Sequence, residues 1–375
     1  MNDAELRAWL TLRGIEGVGA ATLWSLVQVW HSPEAVLAAS REELLTRGCS
    51  EPLANRISAR PDAAARAAID RELQGIARRR LTVLSCLDGA YPALLKTLPD
   101  PPALLYVAGE WLPDDDCTIA LVGSRRSTPQ GRAFTERLSE ELARAGWTIV
   151  SGLARGIDAA AHRGALAAGG RTVAVLGCGI DRMYPPEHAA LRKDIERSGA
   201  VISEFPLGAP PHSYHFPQRN RIISGLSRAV VVTEATLDSG SLITARLAAE
   251  QGREVFAVPG PVREATSRGP HRLIKDGAKL VESAEDVVQE LWLQLDDAAR
   301  GRLGGRAKPG EATAQVQEPS EEERTVFEAL RVEPIHIDAL VAACGLPGPT
   351  VAAMLLSLEL KGLVRQLPGP LYLRL

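Results

Sequence analysis

Short apolar runs alternate with helical patterns between residues 119 and 258. Residues Phe134, Leu138 and Leu142 recur every four positions, which is typical of the buried stripe of a helix. Six apolar runs alternating with helices predict a parallel sheet covered on both faces, and right-handed crossovers make it doubly wound. The predicted strands are Thr118–Val122, Trp147–Val150, Thr172–Leu176, Val201–Glu204, Ala229–Thr233 and Glu254–Val258.

The chain before this alternation has a helical pattern. Residues 3–75 are rich in Ala and Leu, and the stretch Arg13–Gly19 lies between two helical patterns. It resembles a helix-hairpin-helix turn, whose backbone can contact DNA phosphate, but it also fits a tight turn in a helical bundle. The bundle interpretation is favoured because no Lys or Arg follows Gly19 until Arg41. Residues 81–112 are less regular and are interpreted as a lead-in to the sheet, with a possible strand at Ala103–Val107.

The chain changes character after a last helical pattern at 284–295. Residues 296–319 are rich in Gly, Ala, Pro and charges without periodicity, which predicts a flexible linker. Three short helices and two strands that flank a turn at Pro368–Pro370 then suggest a winged helix. Its third helix offers only Thr350, Ser357, Glu359 and Lys361 as polar residues, so a structural or protein-contact role is at least as well supported as base reading. The predicted domains are 1–78 (helical), 79–295 (Rossmann-like, DNA-binding), 296–319 (linker) and 320–375 (winged helix).

Three glycine turns and one basic motif are the candidate site. In an open α/β sheet, ligands lie beyond the carboxyl ends of the strands, where the turns fall. Glycine lets the backbone approach a ligand, a helix start directs unpaired N–H groups at an anion, and arginine suits phosphate. The candidate DNA-binding residues are Gly123, Ser124, Arg125, Ser151, Gly152, Arg155, Gly156, Phe216, Arg219, Asn220, Arg221, Ser239, Gly240, Ser241 and Thr244.

Several of these residues also have an ordinary structural interpretation. Phe216 can stack on a base while Arg219 meets its phosphate, or it can be a core aromatic; the DNA role is favoured because Phe216 stands directly before a basic cluster. Arg125 can be a surface arginine, and the turn at Ser239–Ser241 can be a helix cap. Asp158 and His162 lie one helical turn apart and are expected to orient a loop rather than to act as an acid–base pair.

Composition narrows the class of protein. The net charge is −3, so a DNA site has to be a local basic patch. Five scattered cysteines without a CxxC pair predict neither a disulfide framework nor structural zinc. His212 and His215 have metal-ligand spacing without a third ligand nearby, so no metal and no cofactor are expected. No stretch is long enough to span a bilayer, and a cytoplasmic protein of bacterial type is expected.

Several strings together resemble the DNA-processing protein A (DprA/Smf) family over residues 80–282. They are VGSRRSTPQG, SGLARGIDAAAH, TVAVLGCGIDRMYPPEH, ISEFPLG, FPQRNRIISGLS, SGSLITARLAAEQGREVFAVPG and LIKDGA. The resemblance implies a protein that binds single-stranded DNA, protects incoming DNA and loads the RecA recombinase in natural transformation, as a homodimer built through the sheet domain. It also implies that the candidate residues, with Asp158 and Pro217, match the family's phosphate turns and its DNA-pocket motif.

An enzyme of the phosphoribohydrolase type is the alternative. Those enzymes have a similar fold and a Pro-Gly-Gly-x-Gly-Thr-x-x-Glu turn, whose glutamate serves the chemistry. Here Thr244 takes the place of that glutamate and has no carboxylate, so non-enzymatic binding without catalytic residues is preferred. A Rossmann dehydrogenase is weaker still, because no Gly-x-Gly-x-x-Gly follows the first strand.

Overall fold

A computed structural model describes residues 1–59, 61–295, 297–304, 320–330, 335–360, 363–367 and 371–374. They fall into two compact units, one within 1–307 and the other within 308–375.

The first unit begins with a bundle of helices. Side chains of Asn2, Ser32, Ser40 and Asp62 accept hydrogen bonds from backbone amides and cap four of them. The apolar faces of the helices enclose Trp9, Leu12 and Val27, which are buried. The predicted helical N-terminal region is confirmed, with α1 Asp3–Arg13, α2 Ala20–Trp30, α3 Pro33–Ala38, α4 Arg41–Thr46, α5 Glu51–Ser58 and α6 Ala63–Arg79.

A nine-stranded sheet forms the centre of this unit. Its order is β1-β2-β6-β5-β4-β3-β7-β8-β9, parallel from β6 to β9, with β1 and β2 antiparallel at one edge. The doubly wound prediction is confirmed, and β1 and β9 are strands that it lacked. The strands are β1 Thr82–Ser85, β2 Leu104–Gly109, β3 Thr118–Val122, β4 Thr148–Ser151, β5 Thr172–Val175, β6 Ala200–Ser203, β7 Ala229–Val232, β8 Glu254–Ala257 and β9 Lys279–Leu280.

Helices cover both faces of the sheet. Thr128 caps α8, with Pro129 in its first turn. The helices are α7 Ala93–Lys96, α8 Pro129–Arg144, α9 Ile157–Ala167, α10 Ala189–Ser198, α11 His215–Leu226, α12 Gly240–Glu250, α13 Arg268–Lys275, α14 Ala284–Trp292 and α15 Asp297–Gly304.

Helix α15 corrects the predicted linker. The linker was predicted to begin at residue 296, but residues 297–304 are helical, with Ala299 and Leu303 buried in the same core as Trp147. The pattern was missed because the helix has few apolar residues and depends on tertiary contacts. The remainder of the predicted linker, 305–319, lies outside the described residues.

The topology fixes where a ligand can bind. Strands β4, β5 and β6 follow β3 on one side, and the chain then crosses to place β7 on the other side of β3. The carboxyl ends of β3 and β7 therefore define the topological switch point of the sheet, where open α/β sheets bind their ligands.

The second unit has the arrangement of a winged helix and confirms that prediction. It contains α16 Glu321–Ala329, β10 Ile335–His336, α17 Ile337–Cys344, α18 Gly348–Leu360, β11 Val364–Leu367 and β12 Leu371–Arg374, with strand order β10-β12-β11. Lys361 and the predicted turn at 368–370 lie outside the described residues. Within the described ranges no single helix is long and apolar enough to cross a membrane. Helices α17 and α18, bent by 110° relative to each other, together have sufficient length and apolar composition, and only these two properties support a span.

Candidate nucleic-acid site

An open cavity of about 930 Å³ lies at the switch point. Its walls come from the turn after β3, the start of α11 and the loop that leads into α12. Of the fifteen predicted residues, ten line this cavity: Gly123, Ser124, Arg125, Phe216, Arg219, Asn220, Ser239, Gly240, Ser241 and Thr244.

The turn after β3 is packed tightly against the loop after β7. A Cβ on Gly123 would lie 2.6 Å from Cγ1 of Ile157 and 2.8 Å from the backbone oxygen of Glu234, so only glycine fits. The backbone N–H of Ser124 donates to that same oxygen over 2.6 Å. The Glu234 carboxylate accepts from the backbone N–H of Thr128 at 2.8 Å and from its hydroxyl at 2.5 Å. Glu234, which the sequence analysis missed, thus joins the two loops of the switch point.

Arg125 and Phe216 form one wall of the cavity. Cζ of Arg125 lies 4.9 Å from the centroid of the Phe216 ring, a cation–π contact. Arg125 is exposed and Phe216 is half-buried. The ring of Tyr184 lies 5.5 Å from that of Phe216, tilted by 40°. A cation and two aromatic rings therefore face one solvent-filled space.

Arg219 lies under the floor of the cavity instead of on its rim. It is only 4% exposed, and its Nη1 donates to the backbone oxygen of Gly152 at 2.8 Å and to that of Val175. Burial lowers the pKa of Arg219 to about 10, while Asp158 opposes the shift. Because α11 begins at His215, Arg219 points into the sheet edge, and its contacts tie α11 to the ends of β4 and β5.

The second glycine turn is held from below by Asp158. Its carboxylate accepts from the backbone N–H groups of Gly152 at 3.2 Å and Ala154 at 3.3 Å. Burial raises the pKa of Asp158, and Arg219 opposes this. His162 is also buried; its Nδ1 contacts the hydroxyl of Thr172 at 2.7 Å, and burial lowers its pKa to about 3. Both residues have the loop-orienting and structural surroundings expected of them.

Polar groups at the start of α12 form another part of the cavity lining. The hydroxyls of Ser239 and Ser241 are 2.7 Å apart, and Ser239 accepts from the backbone N–H of Ser241. The Asn220 amide donates to the backbone oxygen of Gly240 at 3.2 Å, which links α11 to α12. Thr244 is buried one turn further along.

Five predicted residues do not line the cavity: Ser151, Gly152, Arg155, Gly156 and Arg221. Arg155 is exposed and forms an ion pair with Glu187. Arg221 pairs with Glu204 and, at 3.4 Å, with Asp100, and it lines a separate cavity of about 330 Å³. Arg221 points away because it lies two positions after Arg219 in α11, which is about 200° further around the helix axis.

The cavity also contains residues that the sequence analysis did not select. Arg126 follows Arg125 directly in the first turn, so the sequence pattern that identified Arg125 could also have identified Arg126. Tyr184 belongs to the string MYPPEH, and only the structure shows that it reaches Phe216. Pro211, Ser213 and Asp238 also line the cavity. Among the described residues, no group of three or more His, Cys, Asp or Glu is positioned to hold a metal ion.

A doubly wound parallel sheet with a cavity at its switch point defines a Rossmann-like α/β protein. The sequence profile of the DNA recombination-mediator protein A family matches residues 82–292, and that of the DprA winged helix domain matches 310–370. The chain belongs to this family.

Relatives and solved structures agree with this assignment. The chain is 43% identical to Protein Smf of Escherichia coli strain K12 over 286 residues, which cover 76% of this chain and 75% of that protein. The crystal structure of DNA processing protein A from Streptococcus pneumoniae superposes with a TM-score of 0.68 at 35% identity, covering 77% of this chain and 99% of that one. DNA processing protein A from Helicobacter pylori, whose structure is described for its unique single-stranded DNA binding mode, gives a TM-score of 0.53 at 31% identity, with coverages of 58% and 98%.

Proposed function

We propose that this chain binds single-stranded DNA in the cavity at the switch point, with a phosphate at Arg125 and an unpaired base on Phe216. The contact between the Arg125 guanidinium and the Phe216 ring, 4.9 Å from Cζ to centroid, carries the proposal. It puts a phosphate partner and a stacking surface within one nucleotide's reach of each other. The family, and the single-stranded DNA binding of its Helicobacter pylori member, support the same conclusion.

The shape of the site favours single strands over duplexes. Phe216 is half-buried within the cavity, so a base has to leave its stack and its partner to reach the ring. A duplex holds its bases inside a stiff cylinder and presents only phosphates at its surface. Stacking of this kind does not depend on base identity, because every base has a π face, so little sequence preference is expected.

The surrounding polar groups suit a ligand with anionic phosphates and uncharged bases. Arg125 and Arg126 are exposed on the first turn and supply positive charge. The hydroxyls of Ser239 and Ser241 and the amide of Asn220 can hydrogen-bond a base edge or a phosphate oxygen. Arg219 and Asp158 hold the floor in place and take no direct part in this proposal.

We also propose the cellular role that the family resemblance implies. The protein protects incoming single-stranded DNA and delivers it to RecA during natural transformation, as a homodimer and without catalysis. In this proposal the DNA site resides in residues 79–295, and the winged helix at 320–375 has a structural or protein-contact role.

Fluorescence anisotropy with a labelled oligo-dT strand and a duplex of equal length tests the binding proposal. The wild type should bind the single strand more tightly, and Phe216→Ala should weaken single-strand binding by ~1–3 kcal/mol while leaving weak duplex binding unchanged. Leu293→Ala, an exposed change at the end of α14, is the matched control. Equal losses of affinity for the single strand and the duplex would show that Phe216 is a core residue. Release of a free base from nucleoside monophosphates would favour the alternative, an enzyme of the phosphoribohydrolase type.

A further inference from the structure

The segment between β6 and α11 presents aromatic rings to solvent. Tyr214 is 59% exposed, although its ring is large and apolar. It stacks on the ring of His212, with 5.2 Å between the centroids and 14° between the planes. Tyr214 belongs to none of the hydrophobic clusters formed by the described residues, so the stack does not serve the core.

This pair of rings lies at the rim of the DNA cavity. Pro211 and Ser213, which alternate with His212 and Tyr214 along the chain, line the cavity. Phe216 follows Tyr214 by two residues in the first turn of α11. A strand that leaves the cavity past Pro211 and Ser213 would reach the two stacked rings.

The rings are held in place from beneath. The ring of His215 meets Tyr214 edge-on at 4.6 Å and stacks on Phe205 at 4.1 Å. Nδ1 of His215 also contacts the backbone oxygen of Pro210 at 3.0 Å. His215 is buried, so it anchors the exposed pair to the protein. A pre-organised ring loses little entropy when a base stacks on it.

A cation adjoins the same loop. The exposed guanidinium of Arg182 donates to the backbone oxygen of Gly208 at 3.3 Å, three residues before Pro211. Arg182 therefore supplies positive charge to the loop that carries the stacked rings, and a positive charge together with aromatic rings is how proteins bind single strands without sequence preference.

We propose that His212 and Tyr214 form a second base platform, on which the nucleotide that leaves the cavity stacks next to the one held by Phe216. Arg182 contacts the phosphate that joins these two nucleotides. The inference rests on the proposed function and extends it, because it assigns the site at least one further unpaired nucleobase outside the cavity.

Photocrosslinking locates the contact directly. Oligo-dT strands that carry one 5-iodouracil, moved one position at a time, are irradiated with the wild-type protein, and adducts are mapped by mass spectrometry. Crosslinks at Tyr214 should come from a position adjacent to the one that crosslinks to Phe216. Crosslinks at Phe216 without any at Tyr214 would overturn the platform and leave the proposed function intact.

Affinity measured against strand length separates stacking from a structural role. Tyr214→Ala should bind the shortest strand that fills the cavity as the wild type does, and longer strands about ten-fold more weakly. Tyr214→Phe keeps the ring and should bind like the wild type at every length, as should the control Leu293→Ala.

Three other outcomes contradict the inference. If Tyr214→Ala binds strands of every length with wild-type affinity, the second base platform is excluded and the proposed function is unaffected. If Tyr214→Ala weakens binding equally at every strand length and also lowers the melting temperature, the stacked pair stabilises its own loop instead of binding a base. Failure of the wild type to bind any single strand would remove the proposed function and this inference with it.

Discussion

The side chain of Arg219 donates a 2.8 Å hydrogen bond to the backbone oxygen of Gly152. A Cβ on Gly152 would lie 2.4 Å from the same Nη1, so the arginine occupies the space that a side chain would need. The glycine of the second turn thus accommodates a buried arginine, whereas the glycine of the first turn accommodates close packing of two loops. Arg125 and Arg219 have different roles: Arg125 faces solvent, and Arg219 supports the floor.

Arg219→Ala should lower the free energy of unfolding by about 3 kcal/mol. The change removes charge-assisted hydrogen bonds to two carbonyl oxygens and takes from the buried Asp158 the positive charge that most strongly opposes the rise in its pKa. Urea denaturation followed by circular dichroism measures the loss. Arg144→Ala, at an exposed position near the end of α8, should change stability by under about 0.5 kcal/mol. Equal stability of the two variants would show that Arg219 is not part of the floor.

Arg125→Ala should weaken binding to all single-stranded sequences alike and reduce the salt dependence. Loss of one phosphate contact lowers the slope of log K against log salt by roughly 0.7 for a single strand. Anisotropy titrations at several salt concentrations give the slope, with Arg144→Ala as the control. An unchanged slope in a folded Arg125→Ala protein would contradict a phosphate contact there.

A chain ending at residue 307 should be more stable than one ending at 295. The shorter chain lacks α15 and uncovers the core around Trp147 that Ala299 and Leu303 bury. Loss of a fully buried leucine alone costs about 1.5–3 kcal/mol. Thermal unfolding of both truncations measures the difference, and the chain ending at 307 should retain single-strand binding. Equal melting temperatures would mean that α15 adds nothing to the unit.

Glu204 should make stability fall as pH rises between about 4.5 and 7. Burial raises its pKa to about 7, with Arg221 opposing the shift and Asp100 reinforcing it. The ordinary value is 4.5, so in this window the folded chain keeps a proton that the unfolded chain has released. The stability contributed by that proton is fully present below the ordinary pKa of 4.5 and is lost as pH rises past the folded-state pKa of about 7.

The variant Glu204→Gln tests this pH dependence. Unfolding free energies of the wild type and the variant, measured from about pH 4.5 to above pH 8, should diverge, with the wild type losing stability relative to the variant as pH rises. Above about pH 8 the difference should be constant. Parallel curves across the whole range would show that Glu204 titrates at its ordinary value.

The sheet was predictable because its central strands are buried on both faces. Such strands leave short apolar runs, and helix caps such as Thr128 with Pro129 mark where the next element begins. Strand β9 has only two residues, Lys279 and Leu280, both exposed, so it leaves no such run. Helix α15 likewise depends on contacts with a distant core and not on its own pattern.

The site was predictable in its location but not in the roles of its arginines. Glycine turns at strand ends identified the switch point. Arg219 and Arg221 stand in one short string, yet one is buried under the floor and the other pairs with Glu204 on another side. Their directions depend on where α11 begins and on what lies opposite, which a local string does not contain. Phe216 and Arg125 are far apart in sequence, so their contact could only be seen in three dimensions.

The antiparallel edge of the sheet affects how the chain folds during synthesis. Strand β2 ends at Gly109, and its partner β6 begins only at Ala200. At ribosomal rates of about 5–20 residues per second, β2 waits roughly 5–20 s for that partner. In the meantime its Tyr106 hydroxyl can already donate to Glu72 of α6 over 2.7 Å, so the helices made first can cover the β1–β2 hairpin. The β2 edge that β6 later pairs thus stays open in the nascent chain until the middle of the protein has been translated.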